Sequence, residues 1–327
     1  MSSSISTIPL ASQVGGHAGV LTSEDGSLLI KPASPPEHQF YQSLNTNPAF
    51  DALRPFVPKF LGTLKLEGQV DETNQGLDPG SGIAVKQLPE AHQKDEWSSM
   101  SHGHFLVLEN LLHHFIRPNI LDIKLGTVLY DEDSSAEKVA RMEKTARNTT
   151  SLETGVRLTG FQVYDNATNE AVNTPKSYGK SIKPSDLSEG IARFFPALSV
   201  YNTQGLPPKL LVPVLKGLRE DIAEIREAFA SVDLRMVGGS LLIVYEGDLA
   251  KAEDGAKWML EEEDEEGEDD DDDDDEKLKR GPPYTVKLID FAHTRFVPGQ
   301  GPDEGVLKGF DTVQSLLDGR LKEVESA

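Results

Sequence analysis

The stretch that most constrains this chain is Pro118-Asn119-Ile120-Leu121-Asp122-Ile123-Lys124-Leu125-Gly126. Ile120, Leu121, Ile123 and Leu125 call for burial, yet a carboxylate and an ammonium stand among them. On an extended strand side chains alternate, so Asp122 and Lys124 share one face. The opening proline and asparagine predict a chain reversal there. Gly126 closes the run where the backbone must turn or pass close to another part of the chain. The fold must therefore contain a buried strand with a charged pair near its end. Taken alone, such a pair is compatible with a plain ion pair or with a reactive centre.

Other buried strands follow. Gly239-Ser240-Leu241-Leu242-Ile243-Val244-Tyr245-Glu246-Gly247 is one, and residues 284–290 form another that runs into Leu288-Ile289-Asp290-Phe291-Ala292-His293-Thr294. Upstream, residues 13–31 read as a glycine-rich β-hairpin, with Asp25-Gly26 as the turn and Leu28-Leu29-Ile30 leading to Lys31. Strands are also expected over 60–66, 104–109 and 155–164, with a polar loop over 69–82. Helices are expected over 38–44, from Ala136 with Ser135 as cap, and over 307–321. Leu187, Ile191 and Phe194 have helical spacing. Leu215, Leu218, Ile222, Ile225 and Phe229 step by 3, 4, 3 and 4, the pattern of an amphipathic helix on a core. The fold class is α+β.

A length of 327 residues allows one large domain or two lobes. The net charge of −22 is concentrated: residues 261–276 hold 15 acidic residues and one glycine, and the rest of the chain carries −7. Such a run is expected to be a disordered insert in a loop, serving as a solubilising tether or as a contact for basic partners such as histones and transcription factors. Direct nucleic-acid binding is disfavoured, and the run lacks the spacing of an EF-hand. The chain has no cysteine, which excludes disulfides, thiolate metal sites and cysteine nucleophiles. No apolar run is long enough for a transmembrane segment, and the first residues lack the pattern of a signal peptide. Lys138, Arg141, Lys144 and Arg147 recur every third residue, interrupted by Glu143. On a helix they make a winding basic stripe, compatible with a solvated face or with an anion pocket. Residues 176–183 are a second basic stretch, a phosphate contact or a loop.

The segments around Asp122, Ser240 and Asp290 occur in an order that resembles the inositol polyphosphate kinase family, whose marks are P-x-x-x-D-x-K-x-G, S-L-L and I-D-F-A-H-T. They bracket about 175 residues, and weaker similarity runs back to about residue 13. Within the family the fungal multikinases are the most similar. The resemblance implies a two-lobed kinase-like fold, with an N-lobe over 1–110 and a C-lobe over 111–327 that contains the acidic insert 261–276. It implies ATP and Mg²⁺ as cofactors. Lys31 would be the ATP lysine and Glu37 its acidic partner, with Glu109 and Leu111 at the hinge that meets adenine. Asp122 would lie beside the ribose or the attacking hydroxyl. Lys124 would bridge the transferred phosphate and the inositol. Asp290 would hold the metal, with Ser240 supporting the metal or a phosphate. Asp122, Lys124 and Asp290 would be the catalytic set. Lys124, Lys138, Arg141, Lys144 and His293 would bind the inositol phosphate.

The implied activity is phosphorylation of inositol trisphosphate and tetrakisphosphate toward the pentakisphosphate, with the phosphatidylinositol bisphosphate head group as a further acceptor. An inositol hexakisphosphate kinase is the alternative within the class. A nuclear scaffold acting through the acidic arm is the alternative outside it. The expected location is nucleus and cytoplasm. A protein kinase or P-loop enzyme is disfavoured, because neither the H-R-D loop nor G-x-x-x-x-G-K-[ST] is present.

Overall fold

The computed structural model describes residues 7–9, 19–65, 69–70, 85–86, 104–264 and 281–326. The first half builds one antiparallel sheet of five strands. Strands β1 (Thr7–Pro9), β2 (Leu21–Ser23) and β3 (Leu28–Pro32) form a meander. Its turn closes as expected at Asp25-Gly26, where Gly26 N–H donates to Ser23 O at 2.9 Å. Helix α1 (Pro35–Thr46) starts earlier than expected. Ser34 caps it, and two prolines occupy its first turn, where a missing N–H costs nothing. Next come β4 (Phe60–Lys65), a short ladder of β5 (Gln69–Val70) with β6 (Val85–Lys86), and β7 (His104–Glu109). Strand β7 inserts between β3 and β4, giving the order β1-β2-β3-β7-β4. Residues 13–18 of the expected hairpin and most of the expected loop 69–82 lie outside the described residues.

The second half begins with β8 (Pro118–Leu125), α2 (Ala136–Asn148), α3 (Ser151–Thr154), β9 (Val156–Asp165) and β10 (Glu170–Thr174). It continues with α4 (Lys176–Ser181), α5 (Leu187–Phe194), α6 (Pro208–Ala230), β11 (Leu234–Met236) and β12 (Ser240–Glu246). The last elements are α7 (Leu249–Asp264), β13 (Tyr284–Ile289), β14 (Thr294–Phe296) and α8 (Glu304–Glu325). The second sheet runs β10-β9-β8-β12-β13, so the strand singled out by the sequence lies at its centre. Leu121, Ile123 and Leu125 point to the core side, at most 1% exposed. Helix α6 buries Leu211, Val214, Leu215, Leu218, Ile222, Ile225 and Phe229, and α8 packs beside it. Each such side chain contributes about 1.5–3 kcal/mol on burial. This core fixes the sheet, and with it the polar face that carries Asp122 and Lys124.

Three expectations need correction. The chain reversal lies at residues 111–114, and Pro118 and Asn119 already belong to β8. A proline as first residue of a strand removes no needed donor. Asn119 is buried, and its Oδ1 accepts from Tyr164 N–H at 2.7 Å. The entry into β8 is fixed by Glu246, whose carboxylate accepts from Ile116 and Arg117 N–H, each at 2.8 Å. Second, residues 176–181 are a helix rather than a loop. Third, the acidic run starts inside α7: Glu261–Asp264 are its last turn. Glutamate is a good helix former, and a helix anchored by buried Ala252 and Ala256 carries on into it. Residues 265–280 lie outside the described residues. Among the described residues no helix is long and apolar enough to cross a membrane.

Candidate active site

Four charged side chains from distant parts of the sequence form one chain of contacts. Lys31, on β3, places Nζ 2.8 Å from Glu37 Oε1 and 2.8 Å from Asp290 Oδ1. The other Asp290 oxygen lies 2.8 Å from Lys124 Nζ, which also donates to Gly238 O at 2.8 Å. Burial alone would push the Asp290 carboxyl up and the Lys31 ammonium down. The mutual charges outweigh burial: Lys31 and Lys124 hold Asp290 well below the usual carboxylate range, and Asp290 and Glu37 raise Lys31 above its ordinary value. Asp290 and Lys31 are both charged at neutral pH.

Asp290 leaves β13 with φ +67°, a left-handed conformation uncommon for a residue with a Cβ. Its neighbours hold it there. Phe291 stacks on Phe40 of α1 at 4.3 Å and 12°, and meets Tyr41 edge-on at 5.7 Å and 88°. The helix that supplies Glu37 thus also grips the residue after Asp290. Gly126 turns away from the site with φ +99°, and its N–H donates to Gly155 O at 2.8 Å.

Asp122 is 2% exposed, and its Oδ1 has no hydrogen-bond partner. Burial raises its pKa, with Lys124 opposing. Ser240 lies directly across from Lys124 in β12. Its buried hydroxyl stands close enough to Asp122 to influence it, yet neither Ser240 Oγ nor Asp122 Oδ1 completes a hydrogen bond. The Asp290 carboxylate, Asp122 Oδ1 and Ser240 Oγ are hard oxygen donors of the kind Mg²⁺ prefers, so the residues fit a divalent cation. Among the described residues no group of three or more His, Asp or Glu converges to hold a metal. A bound cation would complete its shell with phosphate oxygens and water.

At the hinge, Glu109 is committed to Lys59: its N–H donates to Lys59 O at 3.0 Å, and its carboxylate accepts from Lys59 N–H at 2.9 Å. Asn110 ties the hinge to the β2–β3 turn through Gly26 O and Ser27 O. Leu111 is half-buried, and its N–H makes no hydrogen bond among the described residues. Of the two expected hinge residues, Leu111 alone therefore offers a free backbone donor. Glu109 and Leu111 both line a cavity of about 930 Å³, with Phe115, Trp258 and Lys287 among its other walls.

The basic stripe is divided. Lys138 is half-buried, with Nζ 3.9 Å from Asp131 Oδ2, and His293 Nδ1 lies 2.8 Å from the same oxygen. Asp131 thus gathers two of the expected substrate-binding residues. Arg141, Lys144 and Arg147 are exposed, and Arg147 pairs with Glu143 at 2.6 Å. Steps of three residues drift around an α-helix, so a series that begins on the inward face ends on the outward one. Lys144 is not brought to the cluster. One cation, Arg157, was not among the expected site residues, and a second, Lys176, comes from the basic stretch 176–183. Arg157 lies opposite Lys124 in the β8–β9 ladder, and Lys176, the first residue of α4, is near enough to act on the charge of Asp122. The apolar Val156 and Leu158 signalled that Arg157 faces away from the core. Only the strand pairing shows that this is the face of Lys124.

Residues 105–318 match the model of the inositol polyphosphate kinase family. The inositol polyphosphate multikinase of Saccharomyces cerevisiae is 33% identical over 94% of this chain and 96% of its own length. That of Schizosaccharomyces pombe is 30% identical over 72% of this chain and 77% of its own. Inositol hexakisphosphate kinase 1 of Rattus norvegicus is 28% identical over 78% of this chain and 63% of its own. Among solved structures, an inositol phosphate multikinase of S. cerevisiae in complex with ADP and Mn²⁺ superposes with a TM-score of 0.61 at 28% identity, covering 90% of this chain and all of the other.

Proposed function

We propose that this chain, which belongs to the inositol polyphosphate kinase family, transfers the γ-phosphoryl group of ATP to soluble inositol phosphates, as a multikinase carrying the trisphosphate and tetrakisphosphate toward the pentakisphosphate. The observation that carries this reading is the unbroken chain Glu37–Lys31–Asp290–Lys124. Phosphoryl transfer asks the protein mainly for positioning and for cancellation of phosphate charge, and this chain spans the path along which the phosphoryl group would move. Lys31, steadied by Glu37, would take the α- and β-phosphates. Lys124 would meet the transferred phosphoryl group. Asp290, with Ser240 beside it, would hold Mg²⁺, which when bound with ATP neutralises the charge on its terminal phosphates. Asp122 combines burial with raised proton affinity next to Lys124, which suits a carboxylate that holds the acceptor hydroxyl or the ribose. Lys138 and His293, joined through Asp131, and the exposed Arg141 would line the acceptor pocket. Leu111 would meet adenine. The S. cerevisiae multikinase, at 33% identity over 94% of this chain, is more similar to it than the hexakisphosphate kinase, at 28% over 78%, which supports the multikinase reading.

The same reading makes the phosphatidylinositol bisphosphate head group a further acceptor, and assigns the chain to nucleus and cytoplasm. Residues 261–276, with 15 acidic side chains, would contact basic nuclear proteins. The activity is tested by incubating the purified chain with ATP, Mg²⁺ and a panel of inositol phosphates and resolving the products. Stepwise formation of tetrakisphosphate and pentakisphosphate from the trisphosphate is expected. Turnover of the hexakisphosphate alone would shift the reading to a hexakisphosphate kinase, and no transfer to any inositol phosphate would overturn it.

A further inference from the structure

The face that carries Asp122 and Lys124 does not end at β8. Strand pairing aligns Ile289 of β13, Ser240 of β12, Lys124 of β8 and Arg157 of β9 in one row across the sheet. Neighbouring strands lie about 4.8 Å apart. Arg157 is therefore one strand beyond Lys124, on the side away from Asp290. Two residues along β9, on the same face, Thr159 keeps a buried Oγ1 without a hydrogen-bond partner. Lys176 overhangs this end of the face: its Cγ lies 3.6 Å from where a Cβ on Gly160 would stand.

Arg157 is half-buried, and its guanidinium makes no hydrogen bond or ion pair among the described residues. A guanidinium presents five N–H donors in a rigid fork and stays charged. Burial bears on it, with only the more distant Asp122 charge in support. Leaving such a group without a partner in a folded protein is costly. The structure thus holds a fork of donors, a lone hydroxyl and a second cation at one end of the face, and among the described residues no carboxylate forms a hydrogen bond or ion pair with them. The fork matches a phosphate group in two-point geometry.

We propose that Arg157, with Thr159 beside it, binds a non-reacting phosphate of the inositol phosphate acceptor and so sets which way the ring faces Lys124. This rests on the inositol phosphate kinase reading. On that reading the nucleotide is not the partner, because its phosphates would be served by Lys31 and Asp290, which lie on the far side of Lys124 from Arg157. The acceptor carries several phosphates on a small ring and needs one anchor off the reaction axis.

The test compares wild type with Arg157→Met, Arg157→Lys and Thr159→Val. It reads KM and kcat for both substrates, Kd for inositol trisphosphate by calorimetry without nucleotide, and Tm. Losing a charge-assisted phosphate contact corresponds to roughly a ten- to hundredfold weakening. Arg157→Met is expected to raise Kd and KM for the acceptor by that factor, with KM for ATP within about twofold and Tm not lowered. Arg157→Lys, a charge without the fork, is expected to fall between. Thr159→Val should give a smaller shift in the same direction. An unchanged acceptor Kd in both arginine variants would overturn the inference. So would a rise confined to KM for ATP, or a fall in Tm in Arg157→Met that Arg157→Lys restores while binding the acceptor as wild type does. If wild type turns over no inositol phosphate, the underlying reading fails. Normal wild-type turnover with indifferent arginine variants sinks the Arg157 assignment alone.

Discussion

On the β13 side of the site every strong charge is matched: Glu37 with Lys31, Lys31 with Asp290, Asp290 with Lys124. On the β9 side the charges are left open. The Arg157 guanidinium makes no hydrogen bond or ion pair among the described residues, and Lys176 stands over Gly160. The matched half is built to keep a fixed geometry in the absence of ligand, which suits the part that orients ATP and its metal. The open half is completed by whatever brings negative charge to it, which suits a polyphosphate acceptor. The contrast also explains how one protein can accept several acceptors at a single reaction centre. The centre is rigid, and the surrounding cations can be satisfied by phosphates in more than one arrangement.

The largest effect should come from breaking the matched half. Asp290→Asn keeps the shape but removes the charge shared by two lysines and the oxygen donor for a metal. Turnover is expected to fall by roughly a hundred- to a thousandfold, measured as kcat with Mg²⁺ at saturating substrates. Melting at neutral pH should also drop. The sign follows from the depressed pKa of Asp290. Its stabilisation is present above the ordinary carboxylate pKa and is lost as pH falls through the lower folded value. The difference in Tm between wild type and Asp290→Asn should therefore shrink in acid.

Asp122 should behave in the opposite sense. Its pKa is raised by burial, so the folded protein holds the proton more tightly than the unfolded chain. The charged form is a penalty above the raised value, and that penalty disappears as pH falls toward the ordinary carboxylate range. Asp122→Asn is expected to lower turnover while raising Tm by a few degrees at neutral pH, the gain vanishing in acid. A variant that is less stable than wild type at pH 8 would show that Asp122 is a structural anion. The smallest effect belongs to the outward part of the basic stripe. Lys144→Ala and Arg147→Ala should change stability by no more than about 0.5 kcal/mol, and steady-state kinetics should show both KM values unchanged. A clear rise in the acceptor KM in either would place the outer face of α2 in the pocket.

Much of the matched half was legible in the sequence. Lys124 sits in a short apolar strand and Asp290 at the exit of another, where a charged residue stands out, and Lys31 lies near the end of a strand after a strong turn signal. The apolar steps of α6 and the cap at Ser135 were equally readable, because both depend on neighbours within a few residues. The open half was harder. Arg157 looks like an ordinary alternating polar residue until β9 is paired with β8, and pairing between strands 33 residues apart (Lys124 with Arg157) is not written in local spacing. The three-residue period of Lys138, Arg141, Lys144 and Arg147 suggested a single surface. The helix turned that period into a drift from the inward to the outward face. The helical start of the acidic run was not legible, because a block of like charges carries no apolar period to mark the helix that leads into it.

The division of the site into a nucleotide half and an acceptor half is tested most directly by two-substrate steady-state kinetics on Lys138→Ala. Lys138 faces the Asp131–His293 cluster and, among the described residues, forms no ion pair with Glu37 or Asp290. Loss of one partly exposed phosphate contact should raise KM for inositol trisphosphate by about five- to tenfold, with KM for ATP within twofold of wild type. An ATP KM that rises as much as the acceptor KM, or an acceptor KM that does not move, would contradict that division.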